Sequence, residues 1–278
     1  DFFLVREALC RTELSALILI YVSWRYNLKV DNLCIIVPFY NEKNTLAKSV
    51  ERLLSQNIFT EIILSDDNSN DGSDKIAKYY EESYKNIKYI KSSENRGKGN
   101  ALDNAKNQIT TKFVAIHDAD LEYFPEDLVE MFEIAKSNPK SLIIGSRFIG
   151  SKQRVNIYKR TLIANKLMSL FFSFIHFCKI SDIATCYKMM TTDIFKEIEF
   201  VENGFSIEIE IVSKFLKKYK SVIEVPIKYE GRSYEEGKKI RPMDGIMYLI
   251  NTIKYKIYWP LHNLTSSVQQ PHELYDLP

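Results

Sequence analysis

Three carboxylates stand within five residues in Asp118-Ala119-Asp120-Leu121-Glu122, at the end of the stretch KFVAIHDAD (112–120). In an extended chain alternate side chains face the same way, so Asp118, Asp120 and Glu122 can converge on one point. Carboxylate oxygens suit a hard cation such as Mg²⁺ or Mn²⁺, which keeps positions open for phosphate oxygens. The plainer reading is that an Asp after a strand caps the next helix. Pro125 already opens that helix, and three acids exceed what one cap needs. The expected chemistry is a metal held against phosphate.

Other apolar runs end in the same way. Pro38-Phe39-Tyr40-Asn41-Glu42 closes the first, Asp66-Asp67-Asn68-Ser69 the second, and Glu94-Asn95-Arg96-Gly97-Lys98-Gly99 the third. A sheet with only structural duties needs no such clustering of acids and bases at one edge. No GxxxxGK[ST] run occurs, which argues against a P-loop kinase or ATPase. Gly97-Lys98-Gly99 is too short for GxGxxG and follows the third strand, which argues against a nicotinamide dehydrogenase. A metal held by a DxD run, with an early acidic pair able to read a base or ribose, points to a nucleoside-diphosphate ligand whose leaving group the metal neutralises.

The elements that must position these groups follow from periodicity. Buried strands are expected at 34–39, 61–67, 87–91, 112–120 and 142–148, alternating with helices at 43–55, 71–84 (capped by Asn70 or Asp71), 98–107 and from Pro125. Strands separated by helices of this length pair in parallel through right-handed crossovers, so the fold class is an α/β open sheet. Farther on, helices are expected at 159–179, 207–219 and 243–258, and strands at 189–192 and 222–227. The organisation expected is an N-terminal helical segment over 1–30, one catalytic domain over 31–258 and a polar tail over 259–278. Lys plus Arg number 38 against 36 Asp plus Glu, so the net charge of +2 excludes nucleic-acid binding by bulk charge. Cys10, Cys34, Cys178 and Cys186 form no CxxC pair, which argues against structural zinc; Cys34 begins an apolar run and Cys178 ends one, which suits buried reduced thiols in a reducing compartment.

The blocks PFYNE, SDDNSNDGS, NRGKGNAL, HDADLEYFPEDL and GSRF, in this order and spacing, resemble the glycosyltransferase family 2 catalytic domain. More narrowly, GSRF, SDIATCYKMM, EVPIKY and GRSYEEGKKI are similar to the branch that makes dolichyl- or polyprenyl-phosphate sugars; the likeness covers about residues 33 to 256. The resemblance implies the GT-A fold, a Rossmann-like open mixed sheet with helices on both faces. It implies Pro38, Tyr40 and Glu42 around the nucleoside, Asp67 at the base or ribose, and Lys98 and Ala119 in the same nucleotide-sugar pocket. Asp118 would touch nucleotide or sugar, and with Asp120 and Glu122 would hold the metal; Arg147 would contact phosphate on the acceptor side. In the charged loop 231–241, Arg232 and Lys238 would clamp diphosphate or acceptor, where the plainer reading is a solvated turn. Glu122 stands where better-known members often carry Gln, and Cys186 where many carry Gly.

The expected function is a metal-dependent, inverting transfer of a sugar from a UDP- or GDP-sugar to polyprenyl phosphate. The same chemistry on a saccharide or glycan acceptor is the alternative, and would need a base to take a proton, for which Asp182 is the candidate. LMSLFFSFIHFC (167–178), flanked by Arg160, Lys166 and Lys179, is too short to span a bilayer but suits an anionic membrane interface, internal packing or a homodimer seam. His176 within it reads as a packing residue. The stretch 14–24, LSALILIYVSW, is also too short to span. The place expected is peripheral, at the cytoplasmic face of a membrane. A nucleotidyltransferase would need a Gly-rich basic loop after the first strand, and PFYNEKN is not one.

Overall fold

Every position of β1 (Leu33–Phe39) is buried, as a strand must be when helices cover both faces of its sheet. The computed structural model describes residues 32–156, 158–204, 206–232 and 242–257, so the segment 1–30, the tail 259–278 and Lys238 lie outside the described residues. β1, β2 (Glu61–Asp66), β3 (Ile87–Lys91) and β4 (Phe113–Ile116) pair in parallel. The sheet continues through β7 (Lys188–Thr191), β5 (Leu142–Ser146) and β8 (Val222–Pro226), in the order β3-β2-β1-β4-β7-β5-β8. β7 runs antiparallel to both β4 and β5, which makes the sheet mixed. Strand order reverses at β1, with β2 on one side and β4 on the other; the carboxyl edge there is a switch-point crevice.

Period-2 alternation divides the core between two faces. Leu33, Ile35 and Val37 pack with α1 (Leu46–Leu54) and α4 (Glu126–Ser137) through Leu46, Val50, Leu128 and Met131. Cys34 and Ile36 face α3 (Lys98–Lys106) and α7 (Ile207–Lys218) through Leu102, Ala105, Ile211 and Phe215. The outer elements are α2 (Ser73–Ser83), α5 (Lys159–His176), α6 (Thr192–Glu197), α8 (Pro242–Ile257) and a small parallel pair, β6 (Arg154–Val155) with β9 (Tyr229–Glu230). Short α6, β6 and β9 carry too few residues for a periodic signal.

Two local differences matter. The first residue of α2 follows Gly72, at φ 98°, and Asp71 caps from one position earlier, its Oδ1 accepting from the Ser73 amide at 2.9 Å. At the start of α3, a Cβ on Gly97 (φ 99°) would lie 2.1 Å from the Asn203 carbonyl oxygen, and one on Gly99 would lie 1.8 Å from that of Glu202. These glycines let two backbones meet, which brings Lys98 to the crevice.

α5 and α8 pack against each other. His176 lies 3.1 Å from the Thr252 carbonyl oxygen and stacks on Phe172 with ring centroids 4.2 Å apart. It is a satisfied packing residue. No helix among the described residues is long and apolar enough to cross a membrane. Cys34 and Cys186 are buried thiols, and Cys178 is half-buried.

Burial, reinforced by nearby cations, holds His117 down to about 3 and His176 to about 4. Both are neutral in the fold but protonate near 6.5 once unfolded, so their contribution is present above 6.5 and is lost as pH falls toward 4 and then 3. Each should cost about 1.4 kcal/mol per pH unit within its window. A proton NMR titration should find neither imidazole titrating above pH 5; a midpoint near 6.5 for either would contradict this packing.

Candidate active site

The loops after β1 and β2 are sewn together before any ligand arrives. The Asn41 amide donates to Ser69 Oγ at 2.9 Å, the Glu42 amide to Ser73 Oγ at 3.0 Å, and the Lys43 amide to Asp71 Oδ2 at 3.0 Å. Asp66 is fully buried and accepts from the Ser69 amide (2.7 Å) and the Tyr89 hydroxyl (2.9 Å). Asp67, expected at a base or ribose, lines the crevice, but its oxygens accept from the Arg96 amide (3.1 Å), the Gly97 amide (2.5 Å) and Asn100 Nδ2 (3.2 Å). Its structural work is to fix the loop that leads into α3.

After β4 the chain does not stay extended. Residues 119 and 120 form a turn and Leu121 takes φ 66°, so the alternation invoked for the three acids fails. They still reach one cavity by a folded route, with the Glu122 amide donating to Asp120 Oδ1 at 3.1 Å. Among the described residues no three His, Cys, Asp or Glu side chains form a ready metal cage. A cation from the far end of the domain stands among them instead. Arg232 Nη2 donates to Asp120 Oδ2 at 3.0 Å, Nη1 lies 3.8 Å from Glu42, and the Arg232 amide donates to Glu122 Oε1 at 2.8 Å. The Tyr229 hydroxyl donates to Glu122 Oε2 at 2.7 Å. Burial, then the charges of Glu122 and Asp118, push Asp120 up to about 7, while Arg232 opposes the rise. Burial works against the Arg232 charge, but Asp120, Glu42 and Glu122 hold its pKa above the usual value. Arg232 Nε is buried without a hydrogen-bond partner.

Asp118 faces a different cation. Lys98 Nζ bridges Asp118 Oδ1 (2.7 Å) and Glu208 Oε1 (2.8 Å), and Glu208 Oε2 pairs with buried Lys188. Burial alone would discharge these groups. The alternating charges keep Lys98 well above its usual value and Glu208 below its own. Glu208 and Lys188 are absent from the expectations drawn above; the only sequence signal is two acids, Glu208 and Glu210, on an otherwise apolar helix start, IEIEIV.

Arg147, at the carboxyl end of β5, meets Asp182 in a forked pair: Nε to Oδ2 at 2.7 Å and Nη2 to Oδ1 at 2.8 Å. The Arg147 amide also donates to Asp182 Oδ2 at 3.0 Å. Asp182 is fully buried and does not line the cavity, so it cannot take a proton from an acceptor as expected. It aims Arg147 and is a positioning residue. The geometry leaves Arg147 Nη1 for an anion.

Together these groups line a cavity of about 750 Å³. The structure brings into it Pro38, Tyr40, Glu42, Asp67, Lys98, Asp118, Ala119, Asp120, Glu122, Arg147 and Arg232. Its other wall is less polar and comes from α5 (Thr161, Ala164, Met168), the segment before β7 (Ala184, Cys186) and α8 (Tyr248), with Arg160 and Asn165 from α5. One half of the cavity therefore offers acids and fixed cations, and the other a largely apolar wall with a few polar groups.

Known proteins with related sequences or folds bear on this site. The chain is 26% identical over 226 residues to glycosyltransferase AglJ of Haloferax volcanii, covering 79% of this chain and 70% of that protein. It is 27% identical over 214 residues to a dolichol-phosphate mannosyltransferase of Pyrococcus furiosus, covering 74% of this chain but only 60% of that protein. The fold is that of GT-A glycosyltransferases: the crystal structure of glucosyl-3-phosphoglycerate synthase from Mycobacterium tuberculosis, in complex with Mn²⁺, UDP and glucosyl-3-phosphoglycerate, matches with TM-score 0.61 at 15% identity, over 81% of this chain and 79% of that one. Residues 34–199 match the model of glycosyl transferase family 2, which takes in the loops after β1 to β4, the carboxylate turn and Arg147 with its partner but not Glu208, Arg232 or Tyr248, and the chain belongs to that family.

Proposed function

We propose that this glycosyltransferase moves a sugar, with inversion, from a UDP- or GDP-sugar to a polyprenyl phosphate, dolichyl or undecaprenyl, at the cytoplasmic face of a membrane. The observation that carries the lipid acceptor is the placement of two helices. α5 and α8 wall the less polar half of the cavity, and the same helices expose Leu167, Leu170, Phe174, Ile246, Ile250 and Ile253. Phe174 is 73% exposed and Leu170 67%. Side chains of this size, exposed on two helices that pack together, suit an interface with lipid. The Pyrococcus furiosus relative, named for a dolichol-phosphate acceptor, supports the same reading.

The donor half suits a nucleoside diphosphate with a divalent cation. Hard oxygen donors crowd there, and Asp120 ionises reluctantly because it is buried and then because Glu122 and Asp118 add negative charge that Arg232 only partly offsets. Asp118 and Asp120 would hold Mg²⁺ or Mn²⁺, which when bound neutralises the departing diphosphate. Glu122 serves otherwise, since Tyr229 and the Arg232 amide take its oxygens and make it the anchor of the segment carrying Arg232. Arg232 Nε makes no hydrogen bond, lying 3.7 Å from Glu122 Oε1, so it has donor capacity left for phosphate. Lys98 supplies a second fixed charge.

In the reaction proposed, an acceptor phosphate oxygen bonds to the anomeric carbon. The bond from that carbon to the diphosphate breaks, and the nucleoside diphosphate leaves with the electron pair. An acceptor phosphate is already ionised, so no side chain has to take a proton. That fits a site where Asp182 is sealed behind Arg147 and Arg147 Nη1 remains for the acceptor phosphate.

Purified protein incubated with Mg²⁺ or Mn²⁺, labelled UDP- or GDP-sugar and undecaprenyl phosphate should move label into the organic phase, and EDTA should abolish it. Nucleoside diphosphate released without lipid label would shift the acceptor to a saccharide; neither product from any donor would refute the proposal. Asp120→Asn should lower kcat/KM by about 100-fold or more, the scale for losing one preorganised charge contact. Ionised Asp120 is gained as pH rises through about 7. Donor affinity in the presence of metal should therefore strengthen between pH 6 and 8 in the wild type and stay flat in Asp120→Asn.

A further inference from the structure

A second cavity, of about 1270 Å³, opens where α5, α6, α7 and α8 end, and shares no lining residue with the sugar-transfer site. Lys179, Lys214, Lys217, Lys218, Lys220 and Lys256 line it, against one acid, Glu197. We propose that this cavity is a second anion site that holds a phosphate group, going beyond the sugar-transfer reading and independent of it.

Lysines near helix carboxyl ends often do no more than balance the helix dipole. That explanation is too small here. Two of the six are matched by carboxylates, Lys218 by Glu197 at 2.9 Å and Lys214 by Glu210 at 2.7 Å. Each helix end offsets about half a charge, so four ends offset about two of the charges on Lys179, Lys220 and Lys256. An excess of about one positive charge is left with Lys217 outside the count, which suits an anionic phosphate group. Among the described residues, Lys179, Lys220 and Lys256 have no acidic partner within ion-pair distance.

The groups around the cavity register that excess. Burial, then Lys214 and Lys256, brings Lys217 down to about 8, and Lys256 and Lys217 add to the burial that lowers His176. Phe177, 85% exposed, stands at the rim with Lys256 Nζ 4.8 Å from its ring centroid. The phosphate can thus come from a lipid headgroup beneath the apolar surface or from a soluble phosphate compound.

Three measurements on the whole chain test this. With inorganic phosphate as probe, acetylation by acetic anhydride, read by mass spectrometry, should slow at Lys179, Lys217 and Lys256 and remain unchanged at exposed Lys48 and Lys75. Calorimetric titration with inorganic phosphate at constant ionic strength should find a site weakened at least tenfold by Lys179→Gln, Lys220→Gln and Lys256→Gln together, and retained by the three Arg replacements. Sedimentation with phosphatidylcholine vesicles reads the apolar surface alone, and the increment on adding phosphatidylglycerol reads the lysines. Protection and a saturable site, with the increment unchanged in the Gln variant, would assign a soluble phosphate. An increment that falls at least tenfold in that variant, without saturable phosphate binding, would assign a headgroup. The proposal fails if phosphate protects no lysine there and the Gln variant matches the wild type in both other assays, or if the Arg variant loses as much as the Gln variant. Sugar transfer to polyprenyl phosphate can fail while these outcomes stand.

Discussion

Negative charge crowded at one edge of a sheet must be compensated, and this site exists because cations from distant parts of the chain do so. Glu42, Asp118, Asp120 and Glu122 line one cavity, and without Arg232 and Lys98 their mutual repulsion in a buried setting would favour protonation or separation. Arg232 reaches Asp120 across 112 residues and Lys98 reaches Glu208 across 110, so the site closes only when both halves of the domain are folded. Burial first, and then the charges of Glu122 and Asp118, still raise Asp120 against the pull of Arg232. A charged ligand has something left to do.

Buried ion pairs are poor sources of net stability, because desolvation consumes most of the attraction, and removing one partner is costly. Their value here is geometric. Arg147 is held by three bonds to one buried carboxylate, so its direction is fixed before a ligand binds. Lys98 is fixed likewise between Asp118 and Glu208, itself braced by Lys188. A preorganised cation need not reorganise when charge develops on a leaving group, and electrostatic catalysis depends on that.

Much of this was legible in the sequence. Apolar runs of strand length between amphipathic helices gave the order of elements, and polar residues at strand ends gave the acidic half of the cavity lining, because parallel sheets place strand ends together; the wall from α5 and α8 was not read. Pairing was not legible. Nothing near Asp182 says that Arg147, 35 residues earlier, takes both of its oxygens. Leucine does not advertise φ 66°, so the turn at Leu121 stayed hidden and the carboxylates seemed to alternate. Glu208 and Lys188 read as one buried acid and one base on separate elements, and only packing makes them a pair.

The reversed direction of β7 has a consequence for where this fold can change. An antiparallel strand presents its amino end at the edge where its neighbours present their carboxyl ends. The segment entering β7, with Asp182, Ala184 and Cys186, therefore serves the crevice, while the residues leaving it enter α6 at the opposite edge. What this part of the chain gives to the cavity lies upstream of that strand. β7 runs directly into α6 with no loop between them, and no residue of α6 lines the sugar-transfer cavity, so variation at the far end of α6 would alter the outline of the protein and leave that cavity lining alone.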